Sequence, residues 1–234
     1  MPLRDGDWDG KSVVVIGGGP SLQDFDWDLL PVSMPQIAIN MAFMRAPRAD
    51  AFFTEDLRVI ELCHGIISDF TKPTCDLNAV HEAWKAFSGT KVFHALDPSY
   101  VGQALGLDRE IQVIERKRKD KYWSYRLEEG LSYSSNSAIG ALNLAQIMGA
   151  KTIYCLGLDC RMMGREANYH SMYPQEWRMA SGQDESFKSD FEHWAELHLR
   201  KAGVRVVNVI NPAFPSAIEA WPKMPYKEFY TCER

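Results

Sequence analysis

Short, β-branched apolar runs alternate along this chain with longer stretches in which apolar residues recur every three or four positions. The runs at 12–16, 36–40, 51–53, 91–94, 111–114, 152–156 and 204–209 read as strands buried on both faces. The stretches at 56–66, 78–87, 137–148 and 185–202 carry the spacing of packed helices. Strands alternating with helices predict an α/β fold, a doubly wound and mostly parallel sheet with helices on both faces. The alternation breaks at about 115–135, rich in charge and aromatics, and at about 161–183, rich in Met, Tyr, His and Gly. Insertions of that length in a compact domain are expected to be lids or substrate-binding loops. Neither an internal repeat nor a low-complexity linker interrupts 1–234, so a single nucleotide-binding domain is expected over that span.

Composition narrows the partners. With 234 residues, 46% of them hydrophobic, the chain can bury a full core, and a net charge of −5 argues against a general nucleic-acid scaffold. One basic run, Arg116, Lys117, Arg118, Lys119 and Lys121, leads into Tyr122, Trp123 and Tyr125. Basic and aromatic residues together can grip a single-stranded nucleic acid, but a solvated loop over the site is the favoured reading of 116–125. The five cysteines, Cys63, Cys75, Cys155, Cys160 and Cys232, are odd in number and lack a Cys-x-x-Cys pair, which suits reduced thiols in a cytoplasm better than a disulfide framework or a zinc site. No apolar run approaches the roughly 20 residues of a membrane span, so no membrane partner is expected, and the oligomeric state is left open.

Three constellations carry chemistry. The first is the run Val13 to Ile16 followed by Gly17, Gly18, Gly19, Pro20 and Ser21: a buried strand whose glycine exit is expected to leave backbone N–H groups facing an anion. Pro20 and Ser21 interrupt the dinucleotide spacing Gly-x-Gly-x-x-Gly, so neither a nicotinamide nor a flavin cofactor is indicated; a plain structural turn is the competing reading. The second is Ser134, Ser135, Asn136 and Ser137 at a helix start, where hydroxyls and amides cap free N–H groups and an anion is favoured. The third is Gly157-Leu158-Asp159 beyond a strand end, where Asp159 suits a ribose hydroxyl or, alternatively, a helix cap. Among the histidines, His170 lies in the second insertion among polar and aromatic neighbours and can take a proton near neutral pH. His64, His81, His193 and His198 fall in expected helices, and His94 ends a strand. Trp123 and Trp177 could stack on a sugar or base.

These motifs, in the same order, with Ala38-Ile39-Asn40, Ala49 to Phe53 with Asp56, and the late strand from Gly203 to Asn208, resemble a superfamily of phage and bacterial proteins with a Rossmann-like fold. It includes the Campylobacter-type sialyltransferases, the motility-accessory flagellin glycosyltransferase-like proteins and the archaeal 6-hydroxymethylpterin diphosphokinase-like proteins; the phage and prophage branch matches most of the chain. The resemblance implies that Gly17, Gly18, Gly19, Ser21, Asn40, Asp56, Ser137, Gly157 and Asp159 hold a nucleotide. It implies His170 as general base, with Tyr169 and Tyr173 on the leaving phosphate. Gly18 stands where the family turn carries Asn, and Ala138 where it carries Gly.

The activity expected first is nucleotide-dependent group transfer, a glycosyltransferase-like enzyme taking a nucleotide or nucleotide sugar as donor, a hydroxyl compound of unknown identity as acceptor, and no metal. The alternative within the resemblance is a pyrophosphokinase on a pterin-like hydroxymethyl substrate, which would use Mg2+ held by carboxylates such as Glu55, Asp56 and Asp159. The third is a non-catalytic phage nucleotide-binding module.

Overall fold

The structure is a computed structural model that describes residues 1–66, 76–116, 122–134, 136–162, 168 and 183–232. Eight strands form one sheet: β1 Ser12–Ile16, β2 Gln36–Ile39, β3 Ala51–Thr54, β4 Thr90–Ala95, β5 Gln112–Glu115, β6 Thr152–Leu156, β7 Arg205–Ile210 and β8 Lys223–Pro225. All neighbours are parallel, in the order β5-β4-β3-β2-β1-β6-β7-β8. The chain therefore walks outward from β1 to β5, then returns to the centre and walks the other way from β6. The reversal lies between β1 and β6, where an open α/β sheet leaves a crevice outside its carboxyl ends.

Helices α1 Leu57–Cys63, α2 Leu77–Ala86 and α3 Ser99–Leu107 belong to the outward walk; α4 Ser137–Ile147 returns the chain to the centre. Helix α5 Gln183–Ser189 runs through a π-helical stretch, Asp190–Ala195, into α6 Glu196–Lys201, and α7 Tyr226–Phe229 is the last described helix. Side chains alternate across the sheet, as the period of a strand requires. Val13, Val15, Ile37, Phe53 and Cys155 face α4 and α6, whereas Val14, Ile16, Ala38, Phe52 and Leu156 face α1, α2 and α7. Helix α4 carries nine buried residues and so reads as apolar all round.

All seven expected strands are present within two residues of their expected ends. The eighth was not expected because β8 contains Pro225 and lies at the sheet edge, where a missing N–H is tolerated. Helix α3 was missed because only Ala104 is buried while Tyr100 and Leu105 stay exposed, which leaves no apolar stripe to read.

The first long insertion does not behave as a lid over its described length. Trp123 and Leu131 are buried against α4 and α6, and Trp123 stacks on His198 with ring centroids 5.3 Å apart. The stacking surface offered by Trp123 is thus used inside the protein. Residues 117–121 of the basic run lie outside the described residues, and Arg116 sits 4.2 Å over the Tyr133 ring. The anchor of the segment is Asn143 of α4, fully buried, whose Oδ1 accepts the N–H of Ser132 at 2.7 Å and whose Nδ2 donates to the Ser124 carbonyl at 2.8 Å. Asn143→Leu leaves both backbone groups without partners and is expected to cost about 2–6 kcal/mol, at roughly 1–3 kcal/mol per orphaned group. Equilibrium urea unfolding measures this, and a loss near zero would show that the segment is held by apolar burial alone.

Candidate functional site

At the reversal point, the exit of β1 lies against the exit of β6. The Gly17 N–H donates to the Leu156 carbonyl at 2.8 Å and the Gly19 N–H to the Gly157 carbonyl at 2.9 Å, continuing the strand pairing past both strand ends. This corrects the expectation of a turn with free N–H groups, because Gly17 and Gly19 spend theirs on the neighbouring strand. Their lack of a side chain serves close approach instead. A Cβ on Gly19 would lie 2.3 Å from Asp159 Oδ2 and 2.6 Å from the Gly157 carbonyl oxygen; one on Gly17 would meet Leu158 and Gly157 at 2.6 and 2.7 Å. The two loops are built as one unit.

Asp159 holds that unit. It is 4% exposed, and its Oδ2 accepts the Ser21 N–H at 2.8 Å, across the crevice from its own strand. Its backbone is fixed in turn by the Ala217 N–H, which donates to the Asp159 carbonyl at 2.8 Å, and by the Ser216 hydroxyl, which donates to the Leu158 carbonyl at 2.9 Å. Burial pushes the Asp159 carboxyl up to about 6, with the hydrogen bond from the Ser21 N–H pulling it back. A carboxyl raised in the folded state from an ordinary 3.8 favours folding while protonated, and that advantage disappears as pH rises through about 6. Relative to Asp159→Asn, whose side chain can still accept the Ser21 N–H, the natural protein is therefore expected to lose roughly 2 kcal/mol between pH 4 and pH 7. Melting curves of the two proteins across that range should diverge upward in pH, the variant being the more stable at neutrality; parallel curves would remove Asp159 as a strained group.

These loops enclose a cavity of about 170 Å³ lined also by Ile39 and Asn40 at the end of β2, Asn136, Ser137 and Ala138 at the start of α4, and Phe187 and Phe191 of the long helix. The triple-glycine exit and the Ser137 helix entrance thus open into one space. Two polar atoms here are buried without a hydrogen-bond partner, Asn40 Oδ1 and Asn136 Nδ2. Buried polar atoms are normally satisfied, so an acceptor and a donor left open in one cavity are what a polar ligand would complete. The Asn136 Oδ1 is meanwhile committed to capping α4, accepting the Ala138 N–H at 3.1 Å. Asn40, at φ 52°, and Cys160, at φ 48°, are the non-glycine residues in the left-handed region among the described residues, and both line this cavity. Such backbone persists where the surroundings enforce it, and it gathers at ligand sites.

A second cavity of about 500 Å³ adjoins the first and shares Asn136 and Ser137 with it. Its other walls include Glu55, Asp56, Arg58 and Glu61 after β3, Tyr100 of α3, and Tyr133 and Ser134 before α4.

Of the expected nucleotide residues, Gly17, Gly18, Gly19, Asn40, Ser137, Gly157 and Asp159 line the first cavity. Ser21 is wholly buried, its N–H on Asp159 and its carbonyl accepting the Tyr226 hydroxyl at 2.9 Å, so it is part of the floor. Asp56 lies in the second cavity, where it caps α1 and pairs with Arg58. His170, Tyr169 and Tyr173 lie outside the described residues, as does Trp177. The three carboxylates considered for Mg2+ do not meet: Glu55 and Asp56 face one cavity and Asp159 the other, and no trio of His, Cys, Asp and Glu converges among the described residues. Sequence reasoning missed Arg161, a cation at the wall of the first cavity whose guanidinium donates to the Pro215 carbonyl at 2.7 Å. Its position two residues past Asp159 was the available signal.

The architecture has solved counterparts. The sialyltransferase CstII from Campylobacter jejuni, in complex with the substrate analogue cytidine-5'-monophosphate, superposes with a TM-score of 0.53 at 12% identity over 92% of this chain and 85% of that one. The fold is sialyltransferase-like. CstII bound to a trisaccharide acceptor and CMP gives a TM-score of 0.54 at 13% identity, covering 92% of this chain and 86% of that one. The monofunctional α-2,3-sialyltransferase Cst-I from Campylobacter jejuni gives 0.53 at 15% identity, covering 92% and 80%. No protein-family model matches the sequence, and no curated protein matches it significantly. No helix among the described residues is long and apolar enough to cross a membrane.

Proposed function

We propose that this chain is a glycosyltransferase that binds a nucleotide sugar in the first cavity and transfers the sugar to a hydroxyl acceptor. The observation that carries the reading is the pair of open amide atoms, Asn40 Oδ1 and Asn136 Nδ2, in a cavity at the sheet's reversal point beside the first turn of α4. The amides suit the edge of a base or a ribose, Phe187, Phe191 and Ile39 offer apolar surface to its ring, and the positive end of α4 together with Arg161 favours a phosphate. The likeness to CMP-bound sialyltransferases makes a cytidine nucleotide the first ligand to try.

Transfer would proceed by direct displacement. The acceptor oxygen bonds to the sugar's anomeric carbon, the bond from that carbon to the phosphate oxygen breaks with its electron pair left on the phosphate, and a base takes the acceptor's proton. In this proposal His170 is the base and Tyr169 and Tyr173 assist the departing phosphate, the roles that the resemblance implies for them.

Thermal shift and calorimetry with CMP, UDP, GDP and ATP, each with and without Mg2+, test the reading. Saturable binding of one nucleotide is expected without metal, and at a hundred times Kd it should add about 2.7 kcal/mol of stability. His170→Ala should keep that affinity and lose transfer. No saturable nucleotide would refute the proposal, and binding only of ATP with Mg2+ would replace it by pyrophosphoryl transfer.

A further inference from the structure

We infer that the second cavity is the acceptor subsite, that Glu55 receives a hydrogen bond from an acceptor hydroxyl there, and that the acceptor is an uncharged, hydroxyl-rich ring. The inference rests on the transferase reading for the word acceptor, but its evidence lies in a different cavity.

Glu55 directly follows β3, is 8% exposed, and belongs to the wall of the 500 Å³ cavity. Behind it, wholly buried, His94 of β4 places Nδ1 at 3.0 Å from Glu55 Oε1. Burial raises the Glu55 carboxyl above the ordinary carboxylate range, with the hydrogen bond and charge of His94 and the charge of Arg116 opposing the rise. Burying a carboxyl beside an imidazole whose Nε2 has no partner costs stability, which an apolar pair of the same volume would not. The neighbouring helix is also adapted to it. Gly140 lies within α4, and a Cβ there would sit 2.5 Å from Glu55 Oε1 and 2.8 Å from the Phe53 ring. Glycine inside a helix costs about 0.5–1 kcal/mol against alanine. Two residues, His94 and Gly140, therefore accommodate one carboxyl at the cavity wall, and His94 engages one of its two oxygens, Oε1.

The rest of the lining sets the ligand's charge. Arg58 pairs with Asp56, its Nε 2.9 Å from Oδ1, and the lining sets three carboxyl groups, Glu55, Asp56 and Glu61, against that one guanidinium. A carboxylate ligand would face like charge. Tyr100, Tyr133, Gln103, Ser134 and Ser137 supply hydroxyl and amide partners and two aromatic rings, a set suited to sugar hydroxyls and C–H faces. The shared residues Asn136 and Ser137 put such a ring next to the first cavity, where the donor's sugar would project.

The test uses lactose as the neutral probe and glucuronic acid as the anionic one, titrated by saturation-transfer NMR into the full chain, with and without saturating CMP. Lactose should bind, glucuronic acid should bind at least about tenfold more weakly, and Glu55→Gln should weaken lactose by roughly tenfold, the loss of one charge-assisted hydrogen bond. Tyr100→Ala, at a position 40% exposed and so not needed for folding, should also weaken lactose. Melting curves report whether Glu55→Gln is folded; if it is not, the Tyr100 variant and the lactose-to-glucuronate ratio decide. Equal binding of the two probes, no lactose signal, or lactose binding indifferent to both substitutions would overturn the inference. A chain that binds lactose but no nucleotide would refute the transferase reading and leave this subsite standing.

Discussion

Gly19→Ala is expected to abolish saturable nucleotide binding and to lower stability by about 1–3 kcal/mol, the range for overpacking a close-packed site. The added methyl would fall 2.3 Å from Asp159 Oδ2 and 2.6 Å from the Gly157 carbonyl oxygen. One of those atoms is main chain, and the other belongs to a carboxyl held by the Ser21 N–H, so neither can swing away as a flexible side chain would. The β1 and β6 exits must then separate, which breaks the Gly19 to Gly157 hydrogen bond and moves the wall of the first cavity. Gly203→Ala is the control. At φ +71° it also strains the backbone, but nothing lies within 4 Å of its Cβ, so it should cost about 1 kcal/mol and leave nucleotide affinity unchanged. Calorimetric titration on both variants separates the two effects; wild-type affinity in Gly19→Ala would show that the glycine contact does not shape the site.

The second large effect is structural. Trp84 of α2 is 1% exposed and packs edge-on against Phe52 and Phe43, with centroids 4.8 and 5.8 Å away. Its Nε1–H points at His64 Nε2 and Asp108 Oδ2, both at 3.1 Å, and Lys91, itself 2.9 Å from Asp108, lies 4.4 Å over the ring. Trp84→Ala is expected to cost about 3–5 kcal/mol through the cavity alone, and more because Asp108 and Lys91 lose the ring that screens them from water. Trp84→Phe keeps most of the volume and should cost about 1–2 kcal/mol for the missing donor. Urea unfolding of the pair tests this, and equal losses would assign the whole effect to the hydrogen bonds. Since Trp84 lines neither cavity, nucleotide affinity should survive wherever the variant is folded.

The strands were legible because a strand buried on both faces must be a short apolar run, and Val13 to Ile16 or Thr152 to Leu156 can satisfy no other environment. The crevice followed from chain order, since the glycine exit and Gly157-Leu158-Asp159 each terminate such a run. What the glycines do there was misread: a linear pattern shows which residues lack a Cβ, whereas the atoms that would collide with it, on Asp159 and Gly157, come from some 140 residues away. The Glu55–His94 pair was hidden for the same reason. Two strand ends 39 positions apart meet only through the register of β3 and β4. The buried fate of Trp123 was equally invisible, because its partners Gln146 and His198 lie on two separate helices.

Asn136 and Ser137 form the partition between the two chambers, on a single helical turn. Any substitution there alters both compartments at once, so the partition is the part of this protein least able to drift. Residues facing one compartment only, Arg161 and Phe187 on one side or Tyr100 and Glu61 on the other, can change independently. A lineage adopting a new donor or a new acceptor would diversify at those outer walls while keeping the shared turn fixed, which gives divergence among such proteins a spatial signature.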